Sequence, residues 1–187
     1  MIVSHDREKI IHAIIYFAKN TKHCHTLKLF KLLNSADFEH YRQRGRTITG
    51  LTYQAWENGP VPPALFNEFK SGGHPDLKAA LVINNIVDDI TNKTKRRDLI
   101  TRKVFESKYF SKRELEIMKR VAEIFLEARG ETMSDFSHGK NLPWKKVWGS
   151  GEGKGKEINP DLSLSSDPLM TDRKTIESEE LEFRRAI

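Results

Sequence analysis

The chain has 187 residues, enough for one domain with a continuous core but short for two, and its 37% hydrophobic and 31% charged residues exclude the composition of a disordered chain. A single cysteine, Cys24, excludes an intrachain disulfide framework and a Cys-rich metal site, and favours a reducing compartment. The chain has 32 basic and 26 acidic side chains, a formal net charge of +6. Residues 151–187 hold six of the basic and nine of the acidic side chains, so the tail is mildly acidic and residues 1–150 are basic. A basic body suits nucleic acid or an acidic protein partner.

The first part of the chain predicts two amphipathic helices. Apolar residues recur at spacings of three and four between about residues 5 and 20, after Ser4 as a cap, and a second helix is predicted from Thr26 to a stop at Gly45. Charged residues at positions 6–9 argue against a signal peptide, and no apolar run reaches membrane-spanning length. We therefore expect a cytoplasmic protein with no membrane partner.

The next part predicts β structure between turns. The segment from Thr47 to Trp56 predicts a short β element interrupted at Gly50, and Gly59-Pro60-Val61 predicts a turn before a helix that opens at Pro62 and Pro63. Apolar residues on both sides of the polar stretch 91–98 predict a hairpin or a small sheet.

The last part predicts one strong helix and two shorter ones. Ser111 and Glu114 form a capping box that opens a helix running to Gly130, and further helices are predicted at Thr132 and Pro143. The glycines from 149 to 155 predict a flexible linker. The expected fold is mainly α with a small β hairpin or sheet (α+β), as one compact helical domain over 1–148. Residues 149–187 are expected to be a Gly-rich linker and an acidic C-terminal segment that is partly ordered or docked on the domain.

The sequence offers little that predicts catalysis or cofactor binding. Neither Gly-rich phosphate fingerprint is present, and His23-Cys24-His25 has no second cluster at zinc spacing, so no cofactor, metal or catalytic residue is predicted. Cys24 between two histidines allows an activated thiolate, but a lone cysteine with a packing role is the favoured interpretation. The basic run Lys93, Lys95, Arg96 and Arg97 is the candidate for nucleic-acid contact, and its alternative is a solvated hairpin tip.

A family pattern covers about residues 5–150. It runs from a K-L-x-K-L-L helix start through an Asp, a Gly that ends the helix, a T-G turn, an aromatic strand and a G-P-V turn to an S-x-x-E helix start and a His shortly before a Trp. With these features the chain resembles the Panacea domain of SocA-like antitoxins and their phage-associated relatives, and Asn34 departs from the pattern because an aromatic residue is usual there. The matching residues are Lys28, Leu29, Lys31, Leu32, Leu33, Asp37, Gly45, Thr49, Gly50, Tyr53, Gly59, Pro60, Val61, Ser111, Glu114, His138 and Trp144.

The resemblance implies an antitoxin of a toxin-antitoxin system, without enzymatic activity, that neutralises a cognate protein toxin encoded beside it by direct binding. A DNA-binding regulator and an adaptor that delivers a partner to a protease are the alternatives, and a homo-oligomer stays open. Gly45, Gly50, Gly59, Pro60 and Val61 are interpreted as structural turn residues.

The candidate partner contacts begin on the second helix, where Asp37 and Tyr41 share a face that would present a polar patch or bond to the following hairpin. His138 and Trp144 would clamp a loop or anchor a partner. The complete set of candidate partner contacts is Asp37, His40, Tyr41, Tyr53, Trp56, His138 and Trp144.

Overall fold

A computed structural model of the chain describes residues 6–88, 91, 94–129 and 141–164. These residues confirm the mainly α fold with two small antiparallel strand pairs. The predictions at Ser4, at His138 and for a helix from Thr132 fall outside the described residues. The elements in chain order are α1 (Asp6–Asn20), α2 (Thr26–Arg44), β1 (Gln54–Trp56), β2 (Gly59–Val61), α3 (Pro63–Lys70), α4 (Pro75–Ala80), β3 (Leu81–Val87), β4 (Thr94–Thr101), a 3-10 helix (Ser107–Tyr109), α5 (Lys112–Ile124), α6 (Pro143–Trp148) and a second 3-10 helix (Pro160–Ser163).

Helix α2 forms the centre of the fold and contacts α1, α5 and strand β2. Its paired leucines Leu32 and Leu33 are fully buried, as is Phe17 of α1. Each such side chain contributes roughly 1.5–3 kcal/mol through burial. The helix ends as predicted at Gly45, whose φ of 69° is the left-handed conformation that glycine adopts readily, and whose N–H donates to the Tyr41 carbonyl at 2.7 Å. Among the described residues, no helix is both long and apolar enough to cross a bilayer.

The lysine that opens the family pattern has an internal role. Lys28 is buried, and its Nζ donates to the carbonyls of Lys22 and Ala128 at 2.6 Å and of Leu126 at 3.4 Å. These carbonyls follow α1 and α5, so one cation satisfies acceptors near the ends of two helices. Lys28 therefore joins the three central helices.

Helix α5 begins at the predicted capping box. The N–H of Glu114 donates to Ser111 Oγ at 3.3 Å, and the Glu114 carboxylate accepts the N–H of Ser111 at 2.6 Å. The helix ends at Ile124 rather than at Gly130 because carbonyls beyond it are engaged elsewhere: that of Leu126 accepts the N–H of Lys22 at 2.9 Å.

The two strand pairs partly match the predictions. The β3–β4 hairpin, with Leu81 opposite Thr101 at its base, confirms the predicted hairpin, while α4 before it was not predicted. The predicted β element at residues 47–56 is wrong except for β1, because tertiary hydrogen bonds hold residues 48 and 49 in an irregular conformation. The G-P-V turn is β2 itself, and Gly59 at its start has a φ of 114°, a conformation that a side chain would oppose.

The departure from the family pattern leaves a polar atom without compensation. The Nδ2 of Asn34 is buried and has no hydrogen-bond partner among the described residues. An unpaired buried amide destabilises a fold by roughly 1–3 kcal/mol.

Residues 149–164, called here the docked segment, pack against β1 and α2. The N–H of Ala55 donates to the Lys156 carbonyl at 2.9 Å, and the N–H of Ile158 donates to the Tyr53 carbonyl at 2.8 Å. The side chain of Ile158 is 2% exposed. The prediction of a flexible linker is therefore wrong for the glycines of this segment, because they allow close backbone packing on the domain.

An arginine on α1 is predicted to stabilise the fold in a pH-dependent way. The Arg7 guanidinium donates to Glu68 at 2.6 Å and to Asp76 at 2.7 Å, and its hydrogen bond lowers the pKa of Asp76 to about 2. A depressed carboxyl pKa stabilises the folded state above the unfolded pKa, and the benefit is lost as the pH falls from about 4 through 2. Arg7→Gln should lower the free energy of unfolding by about 1 kcal/mol at pH 7, a small value because Arg7 is a third exposed and solvent screens the pairs.

Urea unfolding of wild type and Arg7→Gln at pH 7 and pH 2.5 measures this difference. We expect it to shrink at the lower pH. The exposed pair of Arg113 with Glu116 at 3.1 Å supplies the control, and Arg113→Gln should have no measurable effect at either pH. A difference for Arg7→Gln that is equal at both pH values would contradict the assignment.

Candidate functional site

Asp37, the first of the predicted partner contacts, is an internal hub. Its carboxylate is fully buried and accepts the N–H groups of Ile48 and Thr49, each at 2.8 Å, the Tyr53 hydroxyl at 2.7 Å and the Thr49 hydroxyl. Burial raises the pKa of Asp37 to about 6, so the group is mostly ionised at pH 7. The prediction of an exposed patch shared by Asp37 and Tyr41 is wrong. The alternative, a hydrogen bond from the helix to the following segment, describes Asp37.

The other candidates near Asp37 also contact the protein itself. His40 is 1% exposed, and its Nδ1 lies 2.6 Å from the Arg46 carbonyl, which can only accept, so this nitrogen carries a proton. Tyr53 is buried against Asp37. Tyr41 is partly exposed, and its hydroxyl donates to Asp161 of the docked segment. These side chains connect α2 to the segments that cover it.

Trp144 is likewise internal. It is 4% exposed, stacks on Trp148 with 5.2 Å between ring centroids, and donates from Nε1 to the carbonyl of Trp56 at 2.9 Å. His138, its partner in the predicted clamp, is outside the described residues. Trp144 thus fixes α6 on the β1–β2 hairpin.

A different surface carries the features of a binding site. A groove of about 650 Å³ opens between the start of α2, the β1–β2 turn, α3, β4 and the docked segment. It gathers side chains that are distant in sequence, and of the predicted site residues it contains Trp56, Val61, Arg96 and Arg97. The groove is lined by His25, Thr26, Leu27, Phe30, Trp56, Glu57, Asn58, Val61, Phe66, Arg96, Arg97, Lys154 and Gly155.

The floor of the groove is aromatic and aliphatic. Trp56 and Phe66 are partly exposed and meet edge to face at 4.9 Å, and Phe30 lies behind Phe66 at 6.5 Å. Leu27 is partly exposed on the first turn of α2, beside buried Val61. A concave cluster of rigid, half-exposed rings is the type of surface that anchors a protein partner.

The rim of the groove is mostly basic. Arg96, Arg97 and Lys154 line it together with a single carboxylate, Glu57. Arg96 pairs with Asp98 at 3.0 Å. Strand β4 is held against α2 by the Thr26 hydroxyl, which donates to the Arg97 carbonyl at 3.2 Å.

Two of the four residues of the basic run line the groove. Arg96 and Arg97 lie on β4 at the groove rather than at a hairpin tip, and Lys95 lies on the same strand. Lys93 is outside the described residues.

The histidine and cysteine cluster lies just before α2, where Cys24 packs against the core. Burial raises the pKa of the Cys24 thiol to about 11, which opposes an activated thiolate. No group of three or more metal-ligating side chains comes together among the described residues. His25 instead precedes the first turn of α2, and its backbone forms an isolated antiparallel β-bridge with that of Asp98 in β4.

Comparison with known proteins gives one match. The family model described as "Antitoxin SocA-like, Panacea domain" matches residues 29–145. No curated protein and no solved structure matches the chain. The matched range contains the Asp37 hub, the hairpins and α5, and it ends before the docked segment.

Proposed function

Because the chain belongs to the family of SocA-like antitoxins with a Panacea domain, we propose that it neutralises a protein toxin by binding it directly, without a catalytic step of its own. The observation that carries this proposal is the groove, which leaves Leu27, Trp56 and Phe66 partly exposed beside cations. Exposed apolar side chains gathered in a concave surface mark an interaction site.

The rest of the family pattern supports the same division of roles. Lys28, Asp37 and Trp144 make internal contacts that hold the elements together. Since these side chains are buried, they stabilise the scaffold. The groove, in contrast, is lined in part by exposed residues of the β1–β2 turn and of the docked segment, which lie outside the buried core.

A charged side chain on the groove floor should remove antitoxin activity. Leu27→Glu places a carboxylate among the aromatic rings, and its position in the first turn of α2 suits the helix dipole, so the fold should be little affected. We expect toxin affinity to fall at least tenfold, because anchor residues typically contribute 2 kcal/mol or more to binding. The matched control is Val104→Glu, at a position 74% exposed and outside the groove.

The toxin for this test is the product of the neighbouring open reading frame. Its effect on growth is measured with and without the chain, and binding is measured by calorimetry with both variants. Loss of binding for Leu27→Glu and not for Val104→Glu supports the groove. Full rescue of growth without a detectable complex would instead favour a regulator or modifier.

A DNA-binding regulator and a protease adaptor are the rival functions. Arg96 and Arg97 supply cations for the first, but the apolar side chains that line the same groove offer no hydrogen bond to a phosphate backbone. An adaptor would shorten the half-life of the toxin in cells. A toxin half-life that is unchanged while growth is rescued distinguishes sequestration from delivery.

A further inference from the structure

We infer that the groove recognises an acidic amphipathic segment of the toxin, in which an apolar side chain is flanked by carboxylates. This inference rests on the proposed function and adds the chemistry of the partner. It follows from the charge on the rim, the apolar floor and the origin of the two basic walls.

The rim carries uncompensated positive charge. Arg96 shares its charge with Asp98, whereas no carboxylate of the described residues pairs with Arg97 or Lys154. Glu57 is the one acidic side chain among the lining residues. An apolar surface lowers the local dielectric constant, so cations beside it attract a carboxylate more strongly than cations in open water do. Complementary charge also accelerates association.

The cations of the groove come from two elements, strand β4 and the docked segment, which we call its two walls. Arg96 and Arg97 lie on β4, and the backbone β-bridge between His25 and Asp98 fixes this strand to the start of α2. Lys154 belongs to the docked segment, which is fixed to β1 through the bridge between Gln54 and Glu157. A ligand that pairs with cations from both elements and also covers the apolar side chains must combine carboxylates with an apolar group.

The docked segment gives this chain its own contribution to recognition. Lys154 and Gly155 lie beyond residue 145, where the family match ends, yet they line the groove. The segment therefore supplies one wall from outside the matched domain. Partner specificity in this chain would depend on Lys154 as well as on the matched scaffold.

Nucleic acid fits the groove less well. The ring of Trp56 already packs edge to face on Phe66, and its Nε1 donates to Gln54 at 3.2 Å, which restricts it as a platform for a base. Glu57 on the rim would also repel successive phosphates. An acidic protein segment needs no base-stacking platform, and its carboxylates are spaced by apolar side chains, so a carboxylate can meet a cation of the groove while an apolar side chain lies near Glu57.

The test compares two double charge reversals of equal net charge, Arg97→Glu with Lys154→Glu and Lys103→Glu with Lys112→Glu. The second pair is exposed and lies outside the groove. The Kd for the neighbouring toxin is measured by calorimetry from 50 to 400 mM salt, after thermal melting shows that both variants are folded. We expect Arg97→Glu with Lys154→Glu to weaken binding more than tenfold at low salt and to abolish the weakening by salt seen in wild type, and the control to stay within about twofold.

Several results would overturn the inference. If wild type binds the toxin and the groove variant binds it equally well with the same salt dependence, the proposed function stands and the acidic partner is wrong. If wild type does not bind the toxin, both fall. If wild type binds a single-stranded oligonucleotide and the groove variant alone loses it, the groove is a nucleic-acid site. If the groove variant converts a dimer of this chain to a monomer in sedimentation, the occupant is a second copy.

Discussion

Replacing Asp37 with alanine is expected to lower the free energy of unfolding by about 3–5 kcal/mol, because it leaves buried donors without an acceptor. The carboxylate binds two backbone N–H groups and the hydroxyls of Thr49 and Tyr53 with no access to water. The backbone donors of Ile48 and Thr49 cannot turn away to find other partners. The irregular segment before β1 should therefore lose its position on α2.

Urea unfolding of three variants measures this effect. Asp37→Asn should lie between wild type and Asp37→Ala, because its amide oxygen still accepts the backbone donors. Asp161→Ala is the matched control, since that exposed carboxylate accepts one hydroxyl, from Tyr41, and its loss should leave the stability close to that of wild type. Toxin affinity per folded molecule should be unchanged in all three. A normal melting temperature for Asp37→Ala together with lost binding would identify Asp37 as a contact residue.

The pH dependence of the same variants tests the electrostatics of the hub. Burial raises the pKa of Asp37 from 3.8 to about 6, so the folded state holds the proton more tightly than the unfolded state does. Between these values, the wild type should lose stability relative to Asp37→Asn as the pH rises, and the difference should be constant above about pH 6. A difference that is constant from pH 4 to 7 would contradict the raised pKa.

The helices were predictable because their signals are local. Ser111 and Glu114 exchange side-chain to backbone hydrogen bonds within one turn, and Gly45 ends α2 in the left-handed conformation that glycine adopts readily. The end of α5 was not predictable, because the carbonyls that follow it are claimed by Lys22 and Lys28 from about a hundred residues away. Apolar residues that continue past Ile124 gave no indication of this.

The role of Asp37 shows the same limit at the site. Its spacing from Tyr41 correctly places both on one side of α2, but spacing does not reveal what covers that side. Asp37 is covered by Tyr53 and the loop before it, and Tyr41 meets the docked segment. A polar residue between apolar helix positions was the signal of an internal hub, since Leu33 and Ala36 before it are buried.

The groove could not be found from sequence periodicity. Its lining comes from five separate stretches, and residues such as Leu27, Phe66 and Lys154 look ordinary within their own elements. Only Trp56 and the arginines of β4 carried a functional interpretation beforehand. The glycines from 149 to 155 were interpreted as a flexible linker before a partly ordered or docked segment, although at Gly153 the same residue type permits close backbone packing.

Replacing Gly153 with alanine is expected to release the docked segment from the end of α6. A Cβ at Gly153 would lie 1.7 Å from the carbonyl oxygen of Val147 and 2.6 Å from its carbon, and both are backbone atoms that cannot rotate away. The segment must therefore move, with a loss of about 2–3 kcal/mol from disrupted packing. Because Lys154 is the next residue, its wall of the groove moves too, and toxin affinity should fall severalfold.

Hydrogen exchange at the amide of Ile158 gives a local measurement, because that N–H donates to the Tyr53 carbonyl only while the segment is docked. We expect Gly153→Ala to lose this protection and toxin affinity together. Gly45→Ala is the control: it strains a left-handed glycine with open space around it, so it should cost about 1 kcal/mol and leave both Ile158 and binding unchanged. If Gly153→Ala loses protection at Ile158 and binds the toxin as wild type does, the docked segment stabilises the domain without forming a wall of the binding site.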